Sequence, residues 1–174
     1  MVISKKKYKV YTLKNFSQIS QIKSSLTPEQ IEAIEVVGNV LPFKVNNYVV
    51  DELINWNNIP DDPIFQLTFP QKEMLSSSHY EEMRNALAKD YSKPELKLIA
   101  NKIRYELNPN PAGQKSNIPV LNDQKLTGIQ HKYRETVLFF PSNSQTCHAY
   151  CTFCFRWPQF VGIDELKFAM KETD

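Results

Sequence analysis

The chain's three cysteines, Cys147, Cys151 and Cys154, all fall within eight consecutive positions of its 174 residues. The run Cys147-His-Ala-Tyr-Cys151-Thr-Phe-Cys154 is a C-x3-C-x2-C arrangement, and thiolates this close in sequence converge on one soft metal centre. Three of them leave one position open in a four-site cluster, and an open position is where chemistry occurs. Three readings stand side by side. A three-Cys, one-His zinc site would recruit His148, His131 or His79, although structural zinc motifs usually come as C-x2-C pairs. Three unliganded thiols, partly buried, are the plain alternative in a cytosolic chain. An iron-sulfur cluster is the third.

Other residues able to do chemistry are better explained by local structure. His79 with Glu81 and Glu82 suggests a metal site, but acidic residues in the first turn of a helix are favoured by the helix dipole. Asp61 and Asp62 form a carboxylate pair suited to acid-base work, which turn chemistry before Pro63 explains sufficiently. No Ser-His-Asp pattern emerges. With four glycines and no G-x-G-x-x-G or phosphate-loop run, a glycine-cradled nucleotide is not supported.

The elements that must position the cysteines are punctuated by eleven prolines. Tyr8 to Leu13 alternates polar and apolar residues and reads as a short strand or extended arm without an obvious partner. Thr27-Pro28-Glu29 supplies an N-cap, a proline at the first helical position and an acidic first turn. Ile31, Ile34, Val37 and Leu41 then recur at helical spacing, predicting a helix from about 28 to 40. Val49, Leu53, Ile54 and Trp56 predict another, closed off before an extended connection from Asp61 to Leu67. Ser78 is expected to cap a stretch in which Tyr80, Met83, Leu87 and Ala88 share a face. Lys93-Pro94-Glu95 opens the longest helical pattern, striped by Leu96, Ile99, Ile103 and Leu107 and stopped at Asn108-Pro109.

From 109 to 130 the composition of Pro, Asn, Gln and Gly reads as a long surface connection. Thr136 to Phe140 is then a continuous apolar run of strand length, apolar on both faces as a buried parallel strand would be, and it leads into the cysteines. The last residues, with Asp164 as N-cap and Leu166, Phe168, Ala169 and Met170 as apolar members, read as an interrupted helix.

Composition fits a soluble globular chain: 41% of residues are hydrophobic, and 21 basic against 19 acidic residues leave a formal charge of +2. No overall field gathers nucleic acid or anionic lipid, and the basic start at Lys5, Lys6 and Lys7 reads as a solvated end. No run approaches the roughly 18 apolar residues of a membrane helix, and Met1-Val-Ile-Ser does not open a secretory signal. The expected location is the cytoplasm, with neither nucleic acid nor membrane as a partner.

The C-x3-C-x-aromatic-C pattern, with Phe153 at the aromatic position, resembles the hallmark of the radical S-adenosylmethionine enzymes, where it follows the first barrel strand. A closer resemblance is to the lysine 2,3-aminomutase branch. There the strand is introduced by a segment like His-Arg-Tyr-Pro-Asp-Arg-Val-Leu, and here it reads His131-Lys-Tyr-Arg-Glu-Thr-Val-Leu138. Asp62-Pro63-Ile64 to Pro70 looks like the Asp-Pro-Ile tract of their helical N-terminal region, so the likeness covers roughly residues 45 to 162.

The resemblance implies that Cys147, Cys151 and Cys154 hold three irons of a 4Fe-4S cluster whose fourth iron takes S-adenosylmethionine. Cleavage of that cofactor then yields a 5'-deoxyadenosyl radical. Phe153 would line the adenine and Arg156 the substrate carboxylate, although an exposed arginine also pairs with any surface acid. It further implies pyridoxal 5'-phosphate, near which Lys132 preserves a positive charge, and amino-group migration on a small-molecule amino acid. An electron donor such as flavodoxin or ferredoxin, and a homo-oligomeric complete protein, follow from the same likeness.

The sequence departs from the branch where Cys154-Phe155-Arg156-Trp157-Pro158 replaces Cys-Thr-Arg-Arg-Arg and where Thr136 replaces an arginine. Two alternatives therefore stay open, a radical enzyme of another substrate without pyridoxal phosphate and a non-catalytic metal-binding remnant. The fold class expected is α/β: a mostly helical region over 1–130, then the first strand and cluster loop of a radical S-adenosylmethionine partial TIM barrel over 131–174. A full barrel needs about 250 residues. The glycine-rich and lysine motifs of later strands have no counterpart, so the chain reads as the N-terminal piece of a larger enzyme, inactive by itself.

Overall fold

The computed structural model describes residues 7–109, 114–140, 147, 149–151, 161, 163 and 165. These form a mixed α/β structure of helices with small antiparallel sheets. The chain divides into two compact units, Met1–Ile103 with His148–Thr152, and Arg104–Cys147 with Phe153–Asp174.

In the first unit, strand β1 (Val10–Thr12) has a partner after all, because it pairs antiparallel with β2 (Lys44–Asn46), Tyr11 opposite Val45. Between them lie helix α1 (Ser20–Ser25) and helix α2 (Pro28–Val40). The α2 start is the one its sequence predicts. Thr27 accepts from the Gln30 amide at 3.3 Å while the Gln30 side chain accepts from the Thr27 amide at 2.8 Å, satisfying two otherwise orphaned donors. Its buried residues, Ala33, Ile34, Val36, Val37, Gly38 and Val40, look both ways into two cores.

One core is aromatic. Phe43, Trp56, Phe65 and Phe69 gather there, with Phe65 and Phe69 stacked at 4.8 Å. The predicted helix around Trp56 is instead a five-residue π-type turn, Val49–Leu53, followed by a 3-10 turn, Trp56–Asn58. The Trp56 indole donates to Val50 O at 2.8 Å, which holds the ring over the core. The connection expected to be extended is helical: α3 (Pro63–Thr68) begins at Asp62, whose carboxylate accepts from the Phe65 amide at 2.7 Å, with Pro63 at the first helical position.

The second core joins α2 to α4 (Ser77–Ala88) and to α5 (Lys93–Leu107) through Val37, Val40, Met83, Ala100 and Ile103. The α4 cap is Ser76, two residues before the position expected, and it accepts from the His79 amide. Helix α5 matches its predicted span. Glu95 accepts from both the amide and the hydroxyl of Ser92, at 2.8 and 2.6 Å, and these bonds hold its carboxyl below the usual range.

The expected long connection in the second unit contains a hairpin. Strands β3 (Val120–Leu121) and β4 (Gln124–Lys125) are joined by Asn122 and Asp123, both at positive φ, the conformation a two-residue primed turn requires. A second hairpin pairs β5 (Ile129–Tyr133) with β6 (Thr136–Phe139). The strand expected to be buried and parallel is thus antiparallel to β5, with Val137 55% and Phe139 56% exposed, whereas Phe140 is buried. The predicted terminal helix lies outside the described residues. Among the described residues no helix is long and apolar enough to cross a membrane.

Candidate metal centre

Of the three cysteines, the structure describes Cys147 and Cys151. Cys147 is half-buried and Cys151 exposed, and each presents a soft sulfur donor. Cys154, Phe153, Arg156 and His148 lie outside the described residues. Among the described residues no three His, Cys, Asp or Glu side chains come together as a metal site. The donors fit an iron-sulfur cluster chemically, because cysteine sulfur is the donor that iron and sulfide take.

Tyr150, immediately before Cys151, fixes this end of the loop on the helical unit. Its amide donates to Leu67 O at 2.8 Å. Its hydroxyl lies 3.1 Å from Pro42 O and 3.4 Å from Leu41 O. The acceptors are available for a reason. Leu67 is in the last turn of α3 and Leu41 is the C-cap of α2, and the last carbonyls of a helix have no partner within it. The single phenolic proton is shared between the Pro42 and Leu41 carbonyls, the Pro42 contact being the shorter, while the ring stays half-buried. Sequence reading passed over Tyr150 because its partners are backbone oxygens, which no residue type advertises.

Most of the other candidates have local partners of their own. His131 is exposed in the β5–β6 hairpin with Nε2 3.4 Å from Arg134 O, and the Lys132 ammonium sits over the Tyr133 ring at 5.5 Å. Glu81 pairs with Arg84 at 3.3 Å and Glu82 with Lys102 at 2.8 Å, so both carboxylates beside His79 are engaged in ion pairs. Asp62 accepts from the Asn55 and Phe65 amides and serves as a cap, while Asp61 is exposed. Comparison of the chain with protein-family models, with curated proteins and with solved structures gives no match.

Proposed function

We propose that this chain carries the cluster loop of a radical S-adenosylmethionine enzyme resembling the lysine 2,3-aminomutases. The observation that carries the reading is the C-x3-C-x-aromatic-C spacing of Cys147, Cys151, Phe153 and Cys154, which follows the apolar run of β6 in the sequence. The exposure of Cys151, which a ligand to an added cluster needs, supports it. In this reading β6 is the opening strand of a partial TIM barrel, and the protein works in the cytoplasm.

The three cysteines hold the cluster, Phe153 flanks the adenine and Arg156 takes the carboxylate of an amino acid substrate through two parallel hydrogen bonds. When bound, the cluster supplies one electron, received from a flavodoxin or ferredoxin, to a sulfonium at its open iron. The protein's own contribution is ligand geometry, cofactor orientation and exclusion of water. Pyridoxal phosphate near Lys132, with amino-group migration as the reaction, belongs to the same proposal.

Anaerobic reconstitution with iron and sulfide tests it. Purified chain is expected to turn brown with roughly four irons per chain, and Cys151→Ala to lose most of that iron. Uptake of zinc in preference to iron, or unaltered iron in the variant, would overturn the assignment.

A further inference from the structure

We infer that a patch of the first unit formed by Lys7, Tyr8, Lys9 and Tyr48 is a docking surface for single-stranded nucleic acid. The inference does not depend on the cysteine cluster. It starts from an uneven distribution of charge that the near-balance of the whole chain masks. The first 28 residues carry six lysines, Lys5, Lys6, Lys7, Lys9, Lys14 and Lys23, and no acidic residue, whereas the remaining 146 carry 15 basic and 19 acidic residues. Charge segregated in this way marks a stretch suited to a polyanion. Among the described residues, Lys7, Lys9, Lys14 and Lys23 take part in no ion pair, the carboxylates of α2 and α4 being matched by Arg84 and Lys102 instead. The acids nearest to the patch in sequence, Asp51 and Glu52, have interactions of their own.

Two exposed aromatic rings stand with these charges. Asn47 ties the chain on either side of Tyr8 to the stretch that follows β2. Its side-chain oxygen accepts from the Lys9 amide at 2.9 Å, its side-chain amide donates to Lys7 O at 3.2 Å, and its backbone amide donates to Lys9 O at 2.9 Å. Tyr8, between the two lysines, and Tyr48, next to Asn47, are therefore carried on adjoining backbone, and they are 64% and 61% exposed. The Lys9 ammonium lies 4.8 Å from the centre of the Tyr11 ring, which holds the charge in place without neutralising it. Lysines for phosphates beside aromatic rings for bases are the two components of sequence-tolerant single-strand binding. A duplex keeps its bases stacked on one another, so a single strand is the form whose bases reach the tyrosines. An anionic membrane fits less well, because these two tyrosines are the exposed large apolar side chains of residues 7–50, and insertion into a membrane surface takes Trp, Phe or Leu.

Fluorescence anisotropy of the full chain with a labelled oligodeoxythymidine of about 15 nucleotides tests the surface. Binding is expected to weaken as salt rises from about 50 to 200 mM. The double variant Lys7→Gln, Lys9→Gln should flatten the slope of log affinity against log salt by about 1.4, the share of two phosphate contacts to a single strand. Tyr8→Ala and Tyr48→Ala should each weaken binding about fivefold or more, whereas Tyr8→Phe and Tyr48→Phe keep the ring and should leave it unchanged. An abasic strand of the same length has the phosphates without the bases, so it should bind wild-type chain as weakly as the thymidine strand binds the double alanine variant. The four positions are exposed, and unchanged far-ultraviolet circular dichroism checks that the variants fold. Absence of binding to the oligonucleotide at the lower salt would overturn the inference, as would equal binding of the thymidine and abasic strands. Capture of the chain by phosphatidylserine vesicles without binding to the oligonucleotide would overturn it in favour of a membrane surface.

Discussion

Asp62 illustrates how one side chain can satisfy a chemical pattern and a structural one at once. Beside Asp61 it forms a carboxylate pair of the kind acid-base enzymes use. In the structure it is buried, with one oxygen on the Phe65 amide at 2.7 Å and the other on the Asn55 amide at 3.1 Å. Those bonds start α3 and tie the Trp56 turn to it, so the residue's work is architectural. Asp62→Ala is expected to cost about 1–3 kcal/mol, from the lost cap and the second unmet amide, whereas Asp62→Asn keeps a capping oxygen and should cost markedly less. Urea denaturation followed by far-ultraviolet circular dichroism distinguishes the two, and equal losses would show that the carboxylate charge, not the cap, is what matters.

At the scale of elements, α2 and α4 are joined by an apolar and a polar contact that respond to different perturbations. Met83 is fully buried against α2 and α5, so Met83→Ala should cost about 2–5 kcal/mol in the same denaturation experiment. Tyr80, also buried, points its hydroxyl at Glu32, 3.4 Å away, beside the Glu32–Arg84 ion pair at 3.0 Å. Burial first, and the Glu32 charge second, push its hydroxyl up from 10.0 to about 12. The folded state therefore favours the neutral phenol. That contribution is fully present below pH 10 and is lost as pH rises toward about 12. Tyr80→Phe, having no proton to lose there, should show a flatter decline in stability over this window, and parallel declines in the two proteins would count against the assignment.

These helices were also the legible part of the chain. Thr27-Pro28 and Lys93-Pro94 announce their starts through local chemistry, and the structure begins α2 and α5 where expected. The Asp62-Pro63 pair has the same grammar, but its apolar neighbours Ile64, Phe65 and Leu67 are too few to show a period, so α3 read as extended. The Asn122-Asp123 turn was legible in principle, since both residue types tolerate positive φ, yet the flanking strands are only two residues long. The cysteines could be found from type and spacing alone. Tyr150 could not, because its role depends on where α2 and α3 end.

At the scale of the molecule, the second unit raises a question of exposed surface. Val137 and Phe139 stand two residues apart on β6, hence on one face, and both are more than half exposed, as are Tyr133 on the partner strand β5 and Val120 and Leu121 in the separate β3–β4 hairpin. A two-stranded hairpin is at best marginally stable in water, and an apolar face on such a strand favours association with other copies. The near-balance of charge, +2 overall, offers little electrostatic repulsion against it. Wild-type chain at tens of micromolar is accordingly expected to sediment in a concentration-dependent way and to bind an apolar-surface dye. The double variant Val137→Thr, Phe139→Thr keeps residues that favour strands while removing the apolar face, so it should shift toward the monomer and lose much of the dye signal without loss of α2 and α4. Sedimentation of the wild type as a monomer with little dye binding would mean that this face does not drive association. An unchanged double variant would move the cause of association to another surface.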